Sequence, residues 1–350
     1  MLHYRAPAWL VGGNLQTIWP ALFARRFDAS PVRFRRERWS TPDGDFVDVD
    51  WLDIAPARLF DTGNALPERS LPEAGGADAR PADELDVPLL VLFHGLEGSS
   101  ASHYAQAFAH QARALGWRFC VPHFRGCSGE LNLAPRAYHS GDFEEIGWML
   151  QRLRGAHRGP IVAAGISLGG NALLRWAEEA GDSAADTVRG VAAVSSPIDL
   201  AAAGDAIGRG FNRLVYTRMF LRSMKPKALR KLAQHPGLFD RERLLAARDL
   251  REFDDVFTAP LHGFRGVDDY WRRGSAKPQL ARIRVPALVV NARNDPFVPA
   301  ASLPAPGEVG AQVSLWQPEH GGHAGFAAGR WPGHLMTLPE AVTGWLAQHL

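Results

Sequence analysis

The sequence predicts an α/β fold, with a mostly parallel central sheet, helices on both faces and a helical cap inserted between two late strands. Three observations predict it. Continuous apolar runs such as 88–93 (PLLVLF), 161–166 (IVAAGI) and 287–291 (ALVVN) alternate with amphipathic helical patterns, the rhythm of a parallel sheet covered on both faces. Between the runs at 188–194 and 287–291 the strands stop, and residues 197–277 read as helices. The run 161–166 leads into Gly165-Ile166-Ser167-Leu168-Gly169, and a helical pattern leaves it.

The elements follow in order. Residues 32–39 and 46–52 read as two strands joined by Thr41-Pro42-Asp43-Gly44, a turn sequence. In the second, Val47, Val49 and Trp51 alternate with Asp48 and Asp50, the period of a half-buried strand. Residues 61–86 hold three prolines and no aromatic residue, so they are expected to form a mobile surface loop. Helices are expected at 102–115, 142–154 and 168–180, and strands at 117–121, 188–194 and 312–316. A last helix is expected to open on the capping box Thr337-Leu338-Pro339-Glu340. The whole chain, 1–350, reads as one domain with the cap as an insertion, which most often covers the carboxyl ends of the strands.

Composition removes several function classes. No apolar run approaches the length of a membrane span, and the first 25 residues are too polar for a secretory leader. Cys120 and Cys127 cannot build a disulfide framework or a cysteine zinc site, which points to the cytoplasm. A net charge of +2 gives no nucleic-acid footprint.

The chemistry is expected at Ser167. A G-x-S-x-G word between a strand and a helix is the pattern of a nucleophile elbow, where side chains at the flanking glycines would collide with neighbouring backbone. The turn lifts the serine above the sheet and aims a helix N-terminus at developing negative charge. Such a serine needs a base, and the base an orienting acid. Asp295 follows the run 287–291, and His323 lies in a glycine-rich loop after 312–316. Asp254, Asp255, Asp268 and Asp269 compete for the acid role, and His320 and His334 for the base. The backbone N–H groups of Leu96 and Leu168 are the expected oxyanion donors. His94 reads as a structural residue within the Leu96 loop. This chemistry calls for no metal and no organic cofactor.

At this point the chain resembles the α/β-hydrolase superfamily, and within it the YheT-like hydrolases related to plant embryogenesis-associated proteins and the mammalian lipid-hydrolysing ABHD group. The matching words are Asn14-Leu15-Gln16-Thr17-Ile18, Asp43-Gly44-Asp45-Phe46, His94-Gly95-Leu96-Glu97-Gly98 and His123-Phe124-Arg125-Gly126-Cys127. They continue with Tyr138-His139-Ser140-Gly141, Gly165 to Asn171, Asn294-Asp295-Pro296 and Gly321 to Phe326. The resemblance runs over nearly the whole chain and puts the family's nucleophile, acid and base on Ser167, Asp295 and His323. It implies ester hydrolysis, with acyl or short-chain lipid esters as substrates. An acyltransferase or thioesterase using the same triad is the alternative. The loop 61–86 departs from the family by its length.

Other signals carry two readings each. His235 to Asp240 has the H-x-x-x-x-D spacing of acyltransferases, but chance supplies such a match in this chain. In the cap, Arg209, Arg213, Arg218, Arg222, Lys225, Lys227, Arg230 and Lys231 interleave with Phe211, Leu214, Val215, Met219, Phe220 and Met224. Either this is a lid whose apolar side covers the pocket while its charges face water, or it contacts a membrane surface of anionic lipid. His123 and Cys127 are too few to hold a metal, and Cys127 reads as packing. Ser140 or Asp142 is the expected cap of the helix at 142–154. Asn14–Ile18 carries no evident chemistry, and the sequence is silent on the oligomer.

Overall fold

The computed structural model describes residues 3–24, 32–53 and 86–350. The expected loop 61–86 therefore lies, apart from Asp86, outside the described residues. An N-terminal helix α1 (Gly12–Leu22) precedes strands β1 (Phe34–Ser40), β2 (Phe46–Leu52) and β3 (Leu89–Phe93). Then come α2 (His103–Ala114), β4 (Arg118–Pro122), α3 (Phe143–Ala156), β5 (Ile161–Ile166), α4 (Leu168–Ala180) and β6 (Gly190–Val194). The helical stretch follows, including α5 (Leu200–Ile207), α6 (Arg218–Gln234) and α7 (Val267–Gly274). Strands β7 (Ala287–Val290) and β8 (Val313–Trp316) and helix α8 (Thr337–Leu346) close the fold.

The eight strands form one sheet in the order β1-β2-β4-β3-β5-β6-β7-β8. Only the β1–β2 and β2–β4 pairs are antiparallel; the other five are parallel. Strands β3, β5 and β6 are buried along their full length, because two separate apolar clusters pack on the two faces of the sheet. Burying an aliphatic side chain such as Leu90 or Val91 contributes about 2 kcal/mol.

Two local expectations are corrected. Strand β2 is not half-buried: all seven of its residues are buried. Its alternating carboxylates are covered because β1 sets cations opposite them, Arg36 against Asp50 and Arg38 against Asp48, with bidentate hydrogen bonds in both pairs. Helix α8 does not use a capping box. Thr337 is already its first helical residue, Met336 occupies the cap position, and no side chain caps it.

The strand order places the switch between β4-β3 and β5-β6, and ligands of open α/β sheets bind above the carboxyl ends of strands near such a point. Loops after β3, β5, β7 and β8 carry Leu96, Ser167, Asp295 and His323 to that edge. Among the described residues no helix is long and apolar enough to cross a membrane.

Candidate active site

Ser167 sits between β5 and α4 with φ 54° and ψ −120°, a left-handed conformation that strains a non-glycine residue. The strain is held by the glycines around it. A Cβ on Gly165 would come within 2.5 Å of Gly169 and Gly170 backbone, and one on Gly169 within 2.5 Å of the His94 carbonyl oxygen. Helix α4 thus runs against β3 and β5 at a distance that only glycine permits.

His323 faces Asp295. Its Nδ1 lies 2.9 Å from Oδ2 and 3.2 Å from Oδ1 of the carboxylate, so Nδ1–H donates and Nε2 is left as the basic nitrogen. Asp295 is held in turn, because its Oδ1 accepts the amides of Phe297 and Val298 at 2.8 and 3.3 Å. Ser167, His323, Leu96 and Leu168 line one cavity of about 160 Å³. Among the described residues the Leu96 and Leu168 amides have no protein acceptor, and both residues line the cavity. Leu168 is also the first residue of α4, where the helix dipole favours negative charge.

The Leu96 loop is fixed on both sides. Gly95 N–H donates to Tyr104 Oη at 2.9 Å, and Glu97 N–H to Tyr138 Oη at 2.9 Å. Tyr138 Oη donates back to Glu97 Oε1, and Lys227 of α6 pairs with the same carboxylate at 2.9 Å. Glu97 has a positive φ of 57°, so this ring of bonds holds a strained residue next to Leu96. His94 is buried, donates Nδ1–H to the Gly95 carbonyl and accepts the Phe124 amide on Nε2. Burial, with His123 nearby, pushes it down to about 3, so it stays neutral. It is structural, as expected.

The competing acids are paired with other side chains, although Asp254 lines the same cavity. Asp254 accepts from Thr258 and Trp271, and Asp255 from Arg243. Asp268 pairs with Arg251, and Asp269 with Arg265, Arg272 and Arg273. His320 contacts Asn294 near the surface, and His334 bridges to Ala328. His235 donates to the Leu133 carbonyl while Asp240 caps a short helix, so the H-x-x-x-x-D spacing does not converge on the cavity. Asp142 stands at the cap position of α3, but Arg136 takes its carboxylate and no side chain caps the helix; Ser140 is bound to Asn171. His123 bonds Asp50, and burial pushes the Cys127 thiol up to about 12, a packing role.

The cavity wall is mostly apolar: Leu200, Ile207, Phe220, Met224, Phe257 and Phe297. The expectation that the cap's charges all face water needs correction. Lys231 is buried with Nζ donating to the Asn132 and Ala134 carbonyls, and burial pushes its ammonium down to about 8. Lys225 donates to the carbonyls of Leu245 and Ala247.

Sequence reasoning missed the brace behind His323. Gln16 Oε1 accepts the Gly321 amide, Asn294 Oδ1 the Gly322 amide and Thr17 Oγ1 the His323 amide, all at 2.9–3.1 Å. Ser195 Oγ accepts the next amide, that of Ala324. The word Asn14–Ile18 was visible as a motif; its partners, some 300 residues away, were not.

Comparisons with known proteins assign the fold and the family. Residues 88–329 match the model of the α/β-hydrolase fold. Over 341 residues the chain is 39% identical to YheT of Escherichia coli (strain K12), a protein that carries the name of an esterase, covering 96% of this chain and 91% of that one. It is 28% identical to the phospholipase ABHD3 of Mus musculus, over 86% of this chain and 68% of the relative. In fold it is similar to Est1E of Butyrivibrio proteoclasticus, solved with ferulic acid, at TM-score 0.51 and 16% identity over 89% and 98% of the two chains. The chain belongs to the α/β-hydrolase family, among the esterase/lipase-like hydrolases, and within that family to the group of YheT.

Proposed function

We propose that this protein is a serine hydrolase of carboxylic acyl esters that works through an acyl-enzyme. The observation that carries the reading is a strained serine that shares one cavity with a histidine whose Nδ1 is held on a buried carboxylate. In this reading Ser167 Oγ attacks the ester carbonyl while His323 Nε2 takes its proton. Asp295 keeps the imidazole in the tautomer that presents Nε2, and stabilises its charged form. The carbonyl oxygen gains charge between the Leu96 and Leu168 amides. His323 then returns the proton to the leaving alcohol, and the same nitrogen activates water to release the acid.

The apolar wall supports an acyl chain as the bound part of the substrate, lipid esters included. A reducing compartment such as the cytoplasm suits Cys120 and Cys127, which are free and buried. Turnover of p-nitrophenyl esters over a series of acyl lengths tests the reading, with Ser167→Ala as control. The expected result is an optimum set by the cavity and a loss of about four orders of magnitude or more in the variant. A folded wild type that cleaves no ester overturns it. Added ethanol separates hydrolysis from transfer by how the acyl-enzyme partitions: a transferase forms more ethyl ester than acid at ethanol concentrations far below that of water, and a hydrolase releases mainly acid.

A further inference from the structure

The start of the cap is apolar on two faces, and only one of them serves the cavity. Phe220 and Met224 line the cavity, and Tyr216, Thr217 and Leu221 are buried. On the opposite side Phe211, Leu214 and Met219 are 51%, 63% and 54% exposed, with Val215 beside them. These four exposed side chains fall within nine residues, across a π-helical turn at Arg213–Thr217 that leads into α6. A lid that merely covers a pocket gives no reason for their exposure.

The segment that carries these side chains is itself basic, although Asp205, just before it, pairs with Arg209 at 3.0 Å. Residues 208–234 hold Arg209, Arg213, Arg218, Arg222, Lys225, Lys227, Arg230 and Lys231 and not one carboxylate, in a chain whose net charge is only +2. Arg213, Arg218 and Arg222 are exposed and have no ion-pair partner among the described residues. Helix α1 packs against the buried side of this segment. Tyr216 Oη donates to Asn14 Oδ1 at 2.9 Å, and beside Asn14 the side chain of Leu15 is exposed, as is Val11. Residues 3–24 contain no acidic side chain either.

We infer that this face, made by residues 211–222, docks on an anionic phospholipid surface. Exposed apolar side chains enter the boundary between headgroups and acyl chains, and unpaired arginines meet lipid phosphates. A second copy of the chain fits less well, because a twofold contact through this face would set one acid-free basic segment against another. The docked face and the cavity are two sides of one segment. Rings run from Phe211 to Tyr216 at 6.2 Å, to Phe297 at 4.5 Å and to His323 at 4.2 Å. Docking therefore brings the cavity wall next to the lipid. The surface is separate from the ester chemistry, and the two are read by different assays.

The test is flotation of the full chain with vesicles of phosphatidylcholine alone or with phosphatidylglycerol, at low and high salt. The wild type is expected to float with the anionic vesicles only, and less at high salt. Two variants, Leu214→Asp with Met219→Asp and, separately, Arg213→Gln with Arg218→Gln, are expected to lower the bound fraction about tenfold. Both should keep turnover of a soluble short ester within about twofold, since neither touches the cavity. The exposed arginine pair guards against loss of fold in the aspartate variant. Failure of the wild type to float, or flotation unchanged in both variants, overturns the inference. So does a concentration-dependent dimer that Leu214→Asp dissolves, which assigns the face to a second copy.

Discussion

Thr17 Oγ1 accepts the backbone N–H of His323 at 2.9 Å, a contact between residues 306 positions apart in sequence. Gln16 and Asn294 hold the two preceding amides of the same loop. The ring that meets Asp295 is thus oriented from the far end of the chain, because a glycine-rich loop cannot fix its own direction.

Removing that acceptor should loosen the ring without emptying the cavity. Thr17→Val is expected to lower kcat about tenfold with KM within about twofold, and Thr17→Ser to restore it. Steady-state kinetics on a soluble ester separates this from a structural loss, which would reduce the active fraction and leave its pH profile unchanged. A misplaced imidazole shifts the profile.

Lys227 ties the cap to the Leu96 loop through Glu97 at 2.9 Å. Lys227→Met leaves the Tyr138 bonds to Glu97 in place and cuts only the link to α6. The expected outcome is a fall of about fivefold in kcat/KM for long acyl chains and a smaller one for acetyl esters, since the short ester does not need the cap wall. Equal loss on both would assign the pair to the loop alone.

The word Asp43-Gly44-Asp45-Phe46 has a structural reason that a pH titration can check. Burial alone would raise the Asp45 carboxyl, but Asn132, the Leu133 and Phe46 amides and Arg125 outweigh it and hold it at about 2. The unfolded chain takes up this proton near pH 4. Stability from Asp45 is therefore complete above about pH 4 and lost as pH falls towards 2. Asp45→Asn should cost about 3 kcal/mol at neutral pH and flatten this part of the stability curve, measured by urea unfolding from pH 5 to 2.

Gly169→Ala tests the packing of the elbow. The new methyl would sit 2.5 Å from the His94 and 2.6 Å from the Phe93 carbonyl oxygens, backbone atoms inside the sheet that cannot swing aside. A loss of about 1–3 kcal/mol in thermal unfolding is expected, with activity falling further than stability as β3 and α4 separate. An unchanged Tm would contradict the steric account.

The parallel core was legible in the sequence because β3, β5, β6 and β7 are continuous apolar runs, a local property. Ser167 and Asp295 stood out as candidates because each follows such a run, and His323 because it lies in a glycine-rich loop after β8. What escaped was covered polarity. Asp48 and Asp50 look solvent-facing until β1 brings Arg38 and Arg36 across from them, and Lys231 looks exposed until the carbonyls of Asn132 and Ala134 close over it. Gln16 and Thr17 carry no local sign of their partners. In each case the deciding contact is long-range, and periodicity records only which face a residue is on.

The central claim is that Ser167 is the nucleophile of this hydrolase. It is tested most directly by treating the folded protein with a fluorophosphonate and mapping the adduct by peptide mass spectrometry. The account predicts one adduct, on Ser167, absent from Ser167→Ala and slowed by orders of magnitude in His323→Ala. No adduct on folded wild type, or an adduct on a different residue, would contradict it.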